Sequence, residues 1–154
     1  GAPDPGGPML TRTQKDDLRF VRDCLLGNGD RTSEAFVHWL TGLNPRLAGI
    51  LPAAPKARRL FLPHAFELVL RAAEAPGEPR EQLRDFGRLL AALEVNTMQF
   101  QAAGQKLVAL LEGEFGRAYS DRVHDAVAAA LAVAMAWLRD GMAEAGQQAE
   151  PRTA

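Results

Sequence analysis

Apolar residues in this chain recur every three to four positions, segment after segment, and nowhere alternate with polar ones for the length of a strand. That periodicity dictates an all-α fold, because a helix places every third or fourth side chain on one face and a strand every second. Pro- and Gly-rich stretches cut the pattern into six or seven segments. Thr11 and Gln14 have the spacing of a capping box ahead of Leu18, Val21, Cys24 and Leu25. Gly27-Asn28-Gly29-Asp30 breaks that helix, and Thr32 or Ser33 is expected to cap the next, which carries Phe36, Val37, Trp39, Leu40 and Leu43 up to Asn44-Pro45. A short turn from Arg46 to Leu51 leads into the corner Pro52 to Pro55. One long helix is expected from about Lys56 to Ala75, with Pro63 either kinking it or sitting in its first turn. A fourth follows the break at 75–79 and runs from about Arg80 to Leu93. The last two are the longest, about Thr97 to Phe115 and about Ser120 to Ala145, with Ser120 as N-cap.

A chain of 154 residues is one domain with room for a single substantial core. Residues 9–145 are read as that domain, the first eight (GAPDPGGP) as a disordered leader or cloning remnant, and 146–154 as a disordered tail. Lys plus Arg (18) nearly balance Asp plus Glu (19), so no overall field favours nucleic acid or an anionic membrane. No run reaches the ~18 continuous apolar residues of a membrane span, and no signal sequence is expected at the start. No membrane partner is expected, and the cytoplasm is the default location. The single cysteine, Cys24, excludes an internal disulfide framework and is expected to be a small buried apolar residue.

Chemistry-bearing constellations are sparse. Glu78, Glu81 and Asp85 interleave with Arg80, Arg84 and Arg88, as i,i+3 and i,i+4 ion pairs on a solvated helix face do. Lys56, Arg58 and Arg59 form a small basic cluster without the aromatics of a nucleic-acid site. Phosphate-cradling glycine loops and nucleophile elbows are absent. The final helix carries a stripe of Val123, Val127, Leu131, Ala134, Met135, Leu138 and Met142 that is expected to be core, and its many alanines keep the other sides slim, with Trp137 off the stripe.

Five fragments bear a family likeness. Phe86-Gly87-Arg88-Leu89-Leu90 and then Ala103-Gly104-Gln105-Lys106-Leu107 resemble the Leu-Gly-Arg-x-His and Val-Gly-x-x-Leu of bacterial globins. Asn44-Pro45-Arg46 resembles the family's His-Pro-Glu, Leu62-Pro63-His64-Ala65 its distal Gln-Pro-x-Ala, and Gly116 to Val123 the link between its last two helices. The resemblance is to flavohaemoglobin-type and globin-coupled-sensor domains, and it implies a globin-like packing of six to seven helices. It also places the haem-ligating histidine on Leu90, the distal glutamine on Leu62, the distal tyrosine on Val37, the corner phenylalanine on Leu51 and a proximal-side tyrosine near Leu131. A leucine has no lone pair for iron, so no cofactor and no metal are expected. The polar pocket residues are exchanged for aliphatic ones, as in a pocket refilled with side chains. Val37, Leu51, Leu62, Phe66 and Leu90 are then the residues that line or fill whatever space remains.

What the resemblance implies for function is a haem-free signalling or protein-interaction domain of bacterial type, without catalysis, since the flavin and nicotinamide domains of flavohaemoglobins are not in these residues. It further implies a homodimer through the last two helices and a protein partner or appended output domain. Two alternatives stand beside it. One is a haem protein with unusual ligation by His64 that binds or senses O2 or NO; His38 and His124 are weaker candidates. The other is a carrier of an apolar ligand, such as a fatty acid or a degraded tetrapyrrole, in the remodelled pocket.

Overall fold

The computed structural model describes residues 9–149. Seven α-helices and two short 3₁₀ turns follow one another, with no strand among the described residues. They are α1 (Arg12–Asn28), α2 (Asp30–Leu43), a 3₁₀ turn (Pro45–Gly49), α3 (Pro55–Arg59), α4 (Phe61–Glu74), α5 (Glu78–Ala92), α6 (Thr97–Phe115), a second 3₁₀ turn (Gly116–Ala118) and α7 (Asp121–Ala149). The chain is thus all-α, as its periodicity dictates.

Local chemistry sets most of these boundaries. The Thr11 hydroxyl accepts the Gln14 N–H at 3.1 Å while Gln14 Oε1 accepts the Thr11 N–H at 2.9 Å, closing the capping box of α1. Asn96 and Gln99 repeat that box at α6, with bonds of 2.8 and 3.3 Å. Ser120 Oγ accepts the Val123 N–H at 3.2 Å and so caps α7.

The start of α2 corrects the sequence reading. Only Gly29 separates α1 from α2, and its carbonyl already accepts the Ser33 N–H at 3.0 Å. Thr32 and Ser33 therefore lie inside the helix, both buried, and the Ser33 hydroxyl instead accepts the Leu62 N–H at 3.3 Å. The long helix expected from Lys56 is also divided. Proline has no N–H, and its ring crowds the carbonyl four residues back, here that of Arg59, where α3 stops. Pro63 sits in the first turn of α4, where its missing N–H costs nothing. Bonds from the Leu60 N–H to Lys56 and from the His64 N–H to Leu60, 3.2 and 3.1 Å, carry the chain across the break. At the other end α7 continues through Gly146 to Ala149. Residues 1–8 and the rest of the expected tail lie outside the described residues.

The main core gathers one stripe from each of four helices: Leu18, Val21 and Leu25 of α1, Phe66, Val69 and Leu70 of α4, Leu107 and Leu111 of α6, and Val123, Val127 and Val133 of α7. Each large side chain taken fully out of water contributes about 1.5–3 kcal/mol. Cys24 lies at the edge of the α1 stripe and is half-buried rather than buried, because Val21 and Leu25 occupy the face turned inward. Asp17 is buried beside the stripe and takes two bonds from Arg122 of α7, 3.0 and 2.9 Å, tying the two ends of the chain together. A smaller cluster holds Val37, Leu47, Leu51 and Leu90.

The most extensive helix pair is α5 on α7, whereas α6 meets α7 only sparingly. Two glycines make the first pair possible. A Cβ on Gly87 would run into the Leu138 carbonyl, and one on Gly141 into the Arg84 carbonyl, so the two backbones touch directly. The charged residues of α5 are not merely a solvated face. Arg84 reaches Asp140 at 2.6 Å and Arg88 reaches Glu144 at 3.0 Å, while Glu81 binds both arginines from its own helix. Trp137, half-buried, lies under the guanidinium groups of Arg80 and Arg84, 4.9 and 4.7 Å from its ring centre. Residues 121–146 of α7 are long and apolar enough, by length and composition alone, to cross a membrane. No continuous apolar run signals this, because alanines rather than large side chains raise the average, and Val123, Ala126, Val127, Ala130 and Val133 of the same helix face the core.

Candidate functional site

Where α6 stands away from α7, a cavity of about 1070 Å³ opens between α2, the α3–α4 segment, α5, α6 and α7. Its origin is in the small residues of the helices that bound it. Ala103 and Gly104 of α6 and Ala130 and Ala134 of α7 line the space and contribute almost no volume to it. A Cβ on Gly104 would meet nothing nearer than the Leu131 side chain at 3.8 Å. The contrast with Gly87 and Gly141 is complete, since those glycines bring backbones together and this one faces room.

Four of the five residues singled out from the sequence are on the cavity wall: Leu51, Leu62, Phe66 and Leu90. Val37 is not. It is fully buried behind the wall, packed with Leu47, Leu51 and Leu90, while Phe36 and Leu40 of the same helix face the cavity. Leu131, in the position of the proximal-side tyrosine, lines it too. The aliphatic side chains coat the space without closing it. The sequence reading did not include Phe86, Val95, Phe100, Met135 and Leu138 of the wall. Their common signal was available in the small residues at 103, 104, 130 and 134, which mark where α6 and α7 leave a gap.

The corner between α5 and α6 positions Leu90. The Val95 N–H bonds to the Leu90 carbonyl at 3.1 Å and the Glu94 N–H to that of Ala91 at 3.0 Å, a Schellman closure. Glu94 occupies the left-handed position at φ 59°, where glycine is the usual residue. Leu90 and Val95 are thereby drawn together at one edge of the cavity.

The donor set does not fit a haem iron. Leu90 and Leu62 have no atom to ligate with, and the one imidazole in the wall, His64, is exposed. His38 is exposed on α2, and His124 Nδ1 lies 3.1 Å from the Tyr119 hydroxyl outside the cavity. Burial raises that phenol above its ordinary range, with the Glu112 carboxylate adding to the effect. Among the described residues no three His, Cys, Asp or Glu side chains gather as a metal site would require.

Polar groups in the wall are few and lie at its rim: Gln82, Gln99 and Gln101, and the basic or ionisable Lys56, His64 and Arg139. Among the described residues no Asp or Glu borders the cavity. Such a surface solvates an apolar molecule, and its few polar groups include no carboxylate acid–base pair. No family model, no curated protein and no solved structure matches this chain.

Proposed function

We propose that the chain is a haem-free binding domain of the globin type its sequence resembles, that it holds an apolar molecule between α4, α6 and α7, and that it is not an enzyme. One observation carries this reading, the 1070 Å³ cavity with an almost wholly hydrocarbon wall. It lies just above the roughly 300–1,000 Å³ that small-molecule sites occupy. A guest that covers this surface gains about 25 cal/mol for each Å² of apolar area withdrawn from water. Bound there, it bridges α6 to α7 and favours whichever spacing of those helices it contacts best, which is how occupancy would be passed to a partner or output domain.

Extraction of the purified protein followed by mass spectrometry, with displacement titration of a fluorescent apolar probe by a long-chain alcohol, tests the reading. Saturable binding of one guest per chain supports it. Failure of every apolar guest to saturate would sink it. A hemin titration separates the haem alternative: the expected response is that of free hemin, and a saturable Soret band shifted by carbon monoxide would transfer the function to haem.

A homodimer is the second reading. The outer face of α7 carries the exposed Ala128 and Ala132, small side chains over which a second helix can approach closely, which supports pairing through the last two helices. Light scattering behind size exclusion distinguishes a dimer from a 16.7 kDa monomer.

A further inference from the structure

The full charges around the cavity are of one sign. Lys56 and Arg139 border it, joined by the ionisable His64, and among the described residues no carboxylate does, although acidic residues slightly outnumber basic ones along the chain. All three side chains are exposed, so they stand at the rim rather than in the depth. Lys56 and His64 are brought onto one line by the bonds through Leu60, which stack successive turns of the α3–α4 segment. Arg139 comes from α7, and its neighbour Asp140 is held by Arg84 on the opposite helix. Among the described residues neither Lys56 nor Arg139 has a carboxylate within ion-pair distance, in contrast to Arg84 and Arg88 on the α5–α7 seam.

Resting on the apolar-ligand reading above, we propose that the guest is an amphiphile with one long apolar body and a single anionic head, a long-chain carboxylate. Its chain fills the hydrocarbon cavity. Its carboxylate stays at the rim, because burying an unpaired charge is prohibitive and a charge-assisted bond to an ammonium, guanidinium or imidazolium is favourable. The rim glutamines bond to any polar head and do not select by charge. A cationic head meets the same basic groups as like charges and is disfavoured.

The test compares three probes that share one hydrocarbon tail, oleate, oleyl alcohol and oleylamine, titrated below their critical micelle concentrations against the folded chain at low and high salt. Oleate is expected to bind about tenfold more tightly than the alcohol, with the amine weakest, and added salt is expected to narrow the gap. The triple variant Lys56→Met, His64→Gln, Arg139→Met is expected to keep its affinity for the alcohol and lose the preference for oleate, with Arg71→Met, outside the cavity, as the control. Equal binding of alcohol and oleate, or a salt-independent preference, overturns the anionic head and leaves the apolar-ligand reading standing. Saturation by none of the three overturns both. The probe comparison uses the unaltered protein, so the result does not depend on the variant folding.

Discussion

Two faces of α7 are built on opposite principles. Toward α5, the helix gives up side chains at Gly141 and meets Gly87 in return, so that backbone lies on backbone and arginine–carboxylate pairs close over the crossing. Toward α6, small residues again line the helix, yet nothing fills the space they leave. The same residue chemistry therefore yields a seam on one side and a chamber on the other. What differs is whether both helices offer a glycine at the crossing, since Gly104 of α6 faces the Leu131 side chain of α7. Interiors are normally packed at crystal density, so a chamber of this size is the part of the fold that stability alone does not explain.

Alanine at the three glycines breaks or upholds that contrast most directly. Gly87→Ala and Gly141→Ala should each cost about 3 kcal/mol, because the obstacle is a carbonyl that cannot rotate away. Gly104→Ala should raise stability by about 0.5–1 kcal/mol, since alanine is the better helix former and its methyl group enters open space. Urea unfolding of the three variants reads this, and equal losses at all three positions would erase the distinction. Filling the chamber is the next step down. Ala134→Leu should gain about 1 kcal/mol from new burial and abolish uptake of the apolar probe. A variant that is both more stable and still binds would show that the guest lies elsewhere.

The corner beside Leu90 yields an effect of similar or slightly smaller size. Glu94→Gly relieves the left-handed backbone and should stabilise by about 1 kcal/mol in thermal unfolding, offset in part by loss of the exposed Arg46–Glu94 pair at 3.4 Å. The smallest effect is electrostatic. Hydrogen bonds from Arg84 and then Arg88 hold the Glu81 carboxyl below the usual carboxylate range. Its folded pKa lies under its unfolded one, so its contribution is present above the unfolded value and is lost as pH falls through the folded value. The stability difference between the parent and Glu81→Gln should accordingly shrink to nothing in acid, and a difference that persists there would assign it to another cause.

How much of this could be read from sequence follows the range of each interaction. The caps at Thr11 and Ser120 are local, and three-residue spacing reveals them. The start of α2 differs from that reading because a single glycine can both end one helix and open the next, and the Ser33 hydroxyl that looks like a cap accepts an N–H of α4 instead. Leu51, Leu62, Phe66 and Leu90 share the cavity wall through long-range packing, and only the family likeness pointed to them together. The chamber itself was not legible. Aliphatic residues in place of polar ones read as filling, and whether they reach across depends on the spacing of α6 from α7.

The reciprocal glycines also shape how this domain can diversify. At Gly87 and Gly141 the obstacle to any side chain is main-chain oxygen on the partner helix, so no second substitution can compensate for the first, and both positions are frozen together. The chamber is bounded by side chains, where a gain at one position can be matched by a loss at another. Descendants of this sequence can therefore exchange one guest for another while inheriting the same helix crossing unchanged.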